Sequence, residues 1–354
     1  MESIARLITE LPKDYEHQCY AQGALRRRRG VSSPSDLMML CMFHLHNGCS
    51  LLEISEVARI TKLGSMSDVA FMKRFEQCGN WFRAINEQLA SEQLVEYQAP
   101  SWLGGKALIA IDATDVREKS RSARTYRLHY ALDILKMTSV EHKITTNITG
   151  ESLCNFTPQP DTVIIADRCY STIKGIKHCV KHGADYILRL RKNSFTVREH
   201  DGTKIDLNAH LATLNEVETL DLLAFATNSD GEQIPIRICA SRKTPEAIKQ
   251  THKRLKRQQI RRQRTIADDT KTFNEFIVLI TNLNESISAT DILETYRLRW
   301  QVEIYFKRLK SILDFGELPK RRHNSIIAWL NGKLMIALLI ERIISVASFS
   351  PQDD

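Results

Sequence analysis

The chain has 354 residues, 43% of them hydrophobic, with 50 Lys and Arg against 42 Asp and Glu and a pI near 9.0. That length excludes a single compact core and calls for two or three units, while the net charge of +8 selects polyanions, nucleic acid above all, as partners. The eight cysteines, at 19, 41, 49, 78, 154, 169, 179 and 239, include no C-x-x-C pair, which excludes a disulfide framework and reads as reduced thiols in a cytosol. The start, "MESIARLITELPKDYEHQ", has no apolar h-region. The most apolar helix, near 325–347, is interrupted by Asn331, Lys333, Glu341 and Arg342, so it is too broken for a bilayer span of about 20 apolar residues, and no membrane partner is expected.

Residues 1–104 read as helical. "SPSDLMMLCMFHLH" carries Ser35 as a cap, "SLLEISEVARI" has Ser50 and Glu53 at capping-box spacing, and "DVAFMKRFEQC" starts near Ser67 or Asp68. Cys41, His44, His46 and Cys49 fit no standard zinc spacing and lie in an apolar run, so they read as core. Two short helices around a Gly-containing turn suit either a helix-turn-helix, with Lys73 and Arg74 on its second helix, or a plain bundle; Arg26–Arg29 nearby favour DNA contact.

From residue 105 strands take over. "ALIAIDATDV", "YRLHYALDIL" and "VEHKITTNIT" are three strands, the first two joined by the basic loop "REKSRSARTYR". "DTVIIADRCY" follows, then an amphipathic helix capped by Ser171 and stopped by Gly183, then the strand "DYILRLR". This describes a mixed sheet with helices packed on it, over 105–192. Residues 193–288 read as a β-rich insertion holding a very basic helix, Thr244 to Arg264; a second part of the core follows at 289–322 and a C-terminal helix at 323–354.

Asp112 and Asp167 each end an apolar run, where a carboxylate needs a basic partner, a cation or a capping role. "YRLRWQVEIYFKRLK", 296–310, reads as one helix on which Tyr296, Arg299, Glu303 and Lys310 share an arc of about 60° beside the apolar face. Two Asp and one Glu converging are the oxygen ligands for two Mg²⁺ (or Mn²⁺) ions about 4 Å apart, which suit phosphodiester cleavage, and neighbouring cations suit the flanking phosphates.

The spacing Tyr296-x₂-Arg299-x₃-Glu303-x₆-Lys310, with "IDATDV" and "ADRCYS" in the same order upstream, resembles the Y-R-E-K signature and the two Asp motifs of the insertion-sequence-four family of DDE transposases. The resemblance covers about 105–320, and a helical N-terminal part also fits. It implies an α/β fold: a ribonuclease-H-like mixed sheet as catalytic core, interrupted by a β-rich insertion and preceded by a helical N-terminal DNA-binding region. It implies Asp112, Asp167 and Glu303 as catalytic metal ligands, and Tyr296, Arg299, Lys310, Arg168 and Lys307 as DNA contacts. It further implies double-stranded DNA, as transposon ends and target, a homodimer in the DNA complex, and a place in the bacterial cytoplasm beside the nucleoid. Where some relatives stack a Trp on a flipped base, the strand before the Glu helix here starts with Phe276, which reads as core. Other readings of the residues are an inactive DNA-binding regulator and a ribonuclease-H-like nuclease without strand transfer.

Overall fold

The computed structural model describes residues 2–91, 99–118, 125–136, 138–227, 231–312, 317–318 and 322–349. Most of the basic loop expected between the first two strands, 119–124, lies outside them.

Six helices come first: α1 (Glu2–Thr9), α2 (Tyr15–Ala21), α3 (Pro34–Leu45), α4 (Leu51–Ile60), α5 (Asp68–Gln77) and α6 (Gly79–Ser91). The cap of α3 is Ser33, not Ser35. Ser33 is extended, its Oγ accepts from Asp36 N at 3.1 Å, and Pro34 takes the first helical position, where a missing N–H leaves nothing unpaired. The capping box of α4 forms as expected: Glu53 N donates to Ser50 Oγ at 3.2 Å, and Ser50 N to Glu53 Oε2 at 2.7 Å. Ser67 caps α5. His44 is core: its ring stands edge-on to Phe75 at 5.0 Å, and its Nδ1 lies 2.6 Å from the Cys49 carbonyl.

The strands are β1 (Ala107–Glu118), β2 (Thr125–Asp133), β3 (Thr138–Thr146), β4 (Thr162–Ala166), β5 (Asp185–Arg189), β6 (Thr196–Arg198), β7 (Thr219–Thr227), β8 (Gln233–Arg242), β9 (Phe276–Thr281) and β10 (Glu317–Leu318). They form one sheet in the order β3-β2-β1-β4-β5-β9-β8-β7-β6, with β10 beside β1. The first three are an antiparallel meander; β4 runs parallel to β1, and β5 parallel to β4. This is a mixed sheet of the kind the resemblance implies. The segment 193–288 supplies β6 to β9, and they extend that same sheet: β9 pairs antiparallel with β5 (Ile187↔Thr281), and β8 and β7 follow. The short strand β6 has too few residues to leave a periodic trace in the sequence.

Seven more helices complete the chain: α7 (Ile173–Lys181), α8 (Leu207–Ala212), α9 (Pro245–Arg262), α10 (Asp268–Asn274), α11 (Ala289–Arg297), α12 (Trp300–Ile312) and α13 (His323–Phe349). Thr172, one residue past the expected Ser171, caps α7 by accepting from Gly175 N at 3.1 Å. Gly183, at φ +71°, follows its end, a left-handed position that suits glycine.

Alternation assigns the two sheet faces. Leu108, Ala110, Val163, Ile165 and Ile187 join one core with α1 to α6 and α11 to α13. Ile109, Ile111, Ile164, Ala166 and Leu188 join the other with α7, α8 and α10. The apolar C-terminal helix is consumed within its own chain: Leu334 and Leu338 are buried, and α13 packs on α6, α5 and α3. The packing is tight enough that a Cβ on Gly332 would stand 2.4 Å from Leu45 Cδ1. Among the described residues no helix is long and apolar enough to cross a membrane.

Candidate active site

The even–odd rule that buries Leu108 and Ala110 under the helices puts Asp112 on the same face, and the rule that buries Val163 and Ile165 does the same for Asp167. The parallel register of β1 with β4 reaches Ile111↔Ala166, so the two aspartates follow side by side on neighbouring strands. Asp167 stands just past the end of β4, as expected. Asp112 does not end its strand: β1 continues to Glu118, paired with β2. What ends there is its pairing with β4, and that opens the space above Asp112.

The expected single helix over 296–310 is two. The backbone of α11 closes at Arg297 and α12 starts at Trp300. Between them Leu298 N bonds Thr295 O, Arg299 N bonds Tyr296 O, and Val302 N bonds Arg299 O, all three residues apart. The i→i−3 turn is tighter than an α-turn, so one continuous wheel does not apply across it. It still brings Tyr296, Arg299 and Glu303 together. Arg299, 8% exposed, puts its guanidinium 5.7 Å from the Tyr296 ring centre and donates from Nη2 to Glu303 Oε1 at 2.6 Å. Its Nη1 lies 3.9 Å from Asp112 Oδ2. Arg299 therefore bridges two carboxylates. Burial works against its charge, but Tyr296, Glu303 and Asp167 outweigh that and hold its pKa above the ordinary arginine value.

A cleft of ≈ 510 Å³ opens at this place, lined by Asp112, Thr114, Glu303, Phe306, Lys307 and Lys310. Both lysines are exposed on its rim. Loss of water pushes the Asp112 carboxyl up to about 6, with Glu303 and Glu151 adding and the Ala113 N–H and Arg299 opposing. Tyr296 is buried, which pushes its hydroxyl up to about 12. A larger hollow, ≈ 850 Å³ around Asn193 and Phe195, lies in the β5–β6 region, away from these carboxylates.

Asp167 does not line the cleft. Its Oδ1 is buried with no hydrogen bond and lies 3.9 Å from Arg189 Nη1. Among the described residues no three His, Cys, Asp or Glu side chains stand close enough to share one ion. So Asp112 and Glu303 share an opening, with Arg299 between them, while Asp167 stands one strand away. Arg168 turns from the cleft and donates from Nη1 to Asn274 Oδ1 at 2.7 Å; burial, then Arg189, lowers its pKa to about 10. Sequence reasoning missed Arg189, Glu151, Lys243 and Asn274. Arg189 had one signal, its place two residues after Ile187 on the aspartate-bearing face. Trp300, 60% exposed at the start of α12, was also passed over. Phe276 is only 3% exposed and belongs to the core.

In the helical half, Arg74 does not reach outward. Its Nη1 donates to Arg27 O at 3.0 Å and its Nη2 to Arg29 O. It fastens the loop whose four arginines are exposed. Gly30 and Gly64 lock the same loop to the α4–α5 turn: Ser65 N donates to Gly30 O at 2.8 Å, and a Cβ on Gly64 would stand 2.1 Å from that oxygen.

Residues 103–339, which hold every expected site residue, match the family model of the transposase DDE domain. Over 339 residues the chain is 28% identical to the putative transposase InsL for insertion sequence element IS186A of Escherichia coli (strain K12), covering 94% of this chain and 91% of that protein. It is 28% identical over 340 residues to the transposase for insertion sequence element IS421 of Escherichia coli, with the same coverage. It is 25% identical over 202 residues to the transposase for insertion sequence element IS231F of Bacillus thuringiensis subsp. israelensis, covering 52% of this chain and 42% of that one. With these matches running through both aspartate strands and the glutamate helix, the chain belongs to the family of transposases built on the DDE domain.

Proposed function

We propose that the chain binds the terminal inverted repeats of its own insertion sequence, cleaves the DNA at the element ends and joins those ends to target DNA, in the manner of the insertion-sequence-four group with its Y-R-E-K signature. The observation that carries this reading is the cleft itself: Asp112 and Glu303 share it, Arg299 bridges them, and two exposed lysines rim it.

Asp112, Asp167 and Glu303 supply the carboxylate oxygens that hard divalent ions, Mg²⁺ or Mn²⁺, take, with Asp167 one strand from the other two in the free protein. Asp112 Oδ2 meets Arg299 and Asp167 Oδ1 meets Arg189 only at 3.9 Å, beyond hydrogen-bond reach, so each keeps an oxygen lone pair that a hard cation can take. Two bound ions would lower the pKa of a water and stabilise a leaving 3′ oxygen. The chain's own groups do the rest. Arg299 balances Asp112 and Glu303 in the free protein and is placed to exchange them for a phosphate. Lys307 and Lys310 hold the backbone on the rim and Phe306 keeps the floor apolar, while Tyr296 and Arg168, outside the cleft lining, support phosphates farther along the strand. In the first step water's oxygen bonds to phosphorus, the P–O3′ bond breaks, and the 3′ oxygen takes a proton. In the second that 3′ hydroxyl attacks a target phosphodiester and displaces the target's own 3′ oxygen. A hairpin intermediate, a homodimer and DNA binding by 1–104 and 193–288 belong to the same reading.

The test is an assay with labelled terminal-repeat duplex, target plasmid and Mg²⁺. Joined products support the proposal. Cleaved but unjoined products make the chain a nuclease, and a bound but uncut duplex makes it a regulator.

A further inference from the structure

One group of charges stands outside the Y-R-E-K set. Arg168, after β4, donates from Nη1 to Asn274 Oδ1 at 2.7 Å. Lys243, after β8, donates from Nζ to the backbone oxygen of the same Asn274, and to Thr251 Oγ1 at 3.3 Å. Asn274 is buried at the end of α10 and fixed in turn by its own Nδ2, which donates to Thr270 O at 2.6 Å. One asparagine therefore ties two cations from distant parts of the chain. Arg189, at the end of β5, acts electrostatically on both, as does Arg254 of α9.

The negative charge nearby does not match. Glu275 is already met by Arg242 at 3.4 Å and His252 at 3.1 Å. Asp167 is 3.9 Å from Arg189, too far for a hydrogen bond. Among the described residues the Nε atoms of Arg168 and Arg189 are buried with no hydrogen bond. Neutral amide and hydroxyl oxygens orient such cations but do not neutralise them, and a buried cation without a counter-charge is unfavourable. Arg168, Arg189, Lys243 and Arg254 thus face Asp167 and Glu275 with positive charge in excess, and an anion would offset it.

We propose that Arg168, Arg189 and Lys243, tied together by Asn274, form a phosphate seat that grips a second stretch of DNA backbone one strand over from the carboxylate cleft. A phosphodiester suits it because guanidinium forks and an ammonium meet its two free oxygens from different sides. The proposal rests on the DNA reading above and adds a contact beyond the signature residues. Lys243 makes it measurable. Burial, then Arg189, Arg168 and Arg254, hold its pKa down to about 8, with Glu275 opposing. Its charge, and with it the grip, should fade as pH rises from 7 to 9.

The experiment is fluorescence anisotropy on the full chain with two labelled duplexes, one carrying the terminal repeat and one of unrelated sequence standing for target. Wild type is compared with Lys243→Met and Lys243→Arg. For the duplex that uses the seat, Lys243→Met should weaken binding about tenfold at pH 7 and lower the slope of log affinity against log salt by about one contact. Wild-type affinity should fall between pH 7 and 9, and Lys243→Arg should remove that fall. The duplex that shows these effects identifies the source of the phosphate. Unchanged affinity, slope and pH profile for both duplexes would make the cluster a structural strut and overturn the seat. The wild-type pH profile needs no substitution, so it decides the matter even if Lys243→Met does not fold. Wild-type cleavage of the repeat duplex with no effect at Lys243 overturns the seat alone; a wild type that binds neither duplex overturns the DNA reading as well.

Discussion

The helical half and the carboxylate face handle charge in opposite ways. In the helical half, Ser33, Ser50 and Ser67 cap their helices, Ser325 Oγ donates to Glu76 at 2.7 Å, Asn86 donates to the Asn331 carbonyl at 3.0 Å, and the buried atoms left without a hydrogen bond include the neutral amide oxygens of Gln18, Asn86 and Asn331. On the carboxylate face, buried charged atoms of Asp167, Arg168, Arg189 and Arg299 have no hydrogen bond, and Asp112 is desolvated. A fold selected for stability alone would pair or remove such groups. The contrast separates what holds the molecule together from what is kept ready for a charged partner.

Substitution of the carboxylates should have the largest effect. Asp112→Asn, Asp167→Asn or Glu303→Gln should each lower end cleavage by at least about 10³-fold, the scale of removing a key electrostatic stabiliser. Binding of the terminal-repeat duplex should change far less, and a gel of cleaved strands beside a binding curve reads both. In the helical half the balance reverses. Trp81 is buried and donates from Nε1 to Tyr15 O at 2.8 Å. Trp81→Ala should remove about 3–5 kcal/mol of stability by denaturant titration. Gly332→Ala, which forces a methyl against Leu45, should remove about 1–3 kcal/mol.

Inside the sheet, a buried histidine ties stability to pH. His129 is buried between β1 and β3, bonded from Nε2 to Thr145 Oγ1 at 2.9 Å. Burial, then Arg127 and Lys143, lowers its pKa to about 4. The unfolded chain, with an ordinary histidine, takes up the proton first. The contribution of His129 is therefore whole above about pH 6.5 and lost as pH falls toward 4, on the order of 1–2 kcal/mol. Thermal melts from pH 7 to 4.5 should show the loss, and His129→Asn should reduce it. The smallest effect belongs to Arg74→Met. Freeing the Arg26–Arg29 loop leaves the arginines in place but unanchored, so affinity for an unrelated duplex should fall only a few-fold, without loss of the salt slope.

Much of the site was legible because it is local. Alternation along "ALIAID" and "TVIIAD" marks two strands and the side on which each aspartate falls, and spacing along α12 keeps Glu303 and Lys310 on one helix. The break at 298–299 left no mark, since neither Gly nor Pro occurs there. Ser33 was readable in principle, because Pro34 belongs in the first helical turn and so points to the residue before it. Arg189, Lys243 and Asn274 were not readable. Their meeting depends on β9 entering between β5 and β8, a pairing between segments about 90 residues apart that no local pattern records.

In the proposed function, Asp112, Asp167 and Glu303 hold divalent ions beside DNA. The most direct test of that role is a Mn²⁺ titration followed by electron paramagnetic resonance, on the full chain bound to terminal-repeat duplex. Wild type should take up Mn²⁺, and Asp112→Asn and Glu303→Gln should lose that uptake with the duplex still bound. Equal uptake by all three chains would contradict that role.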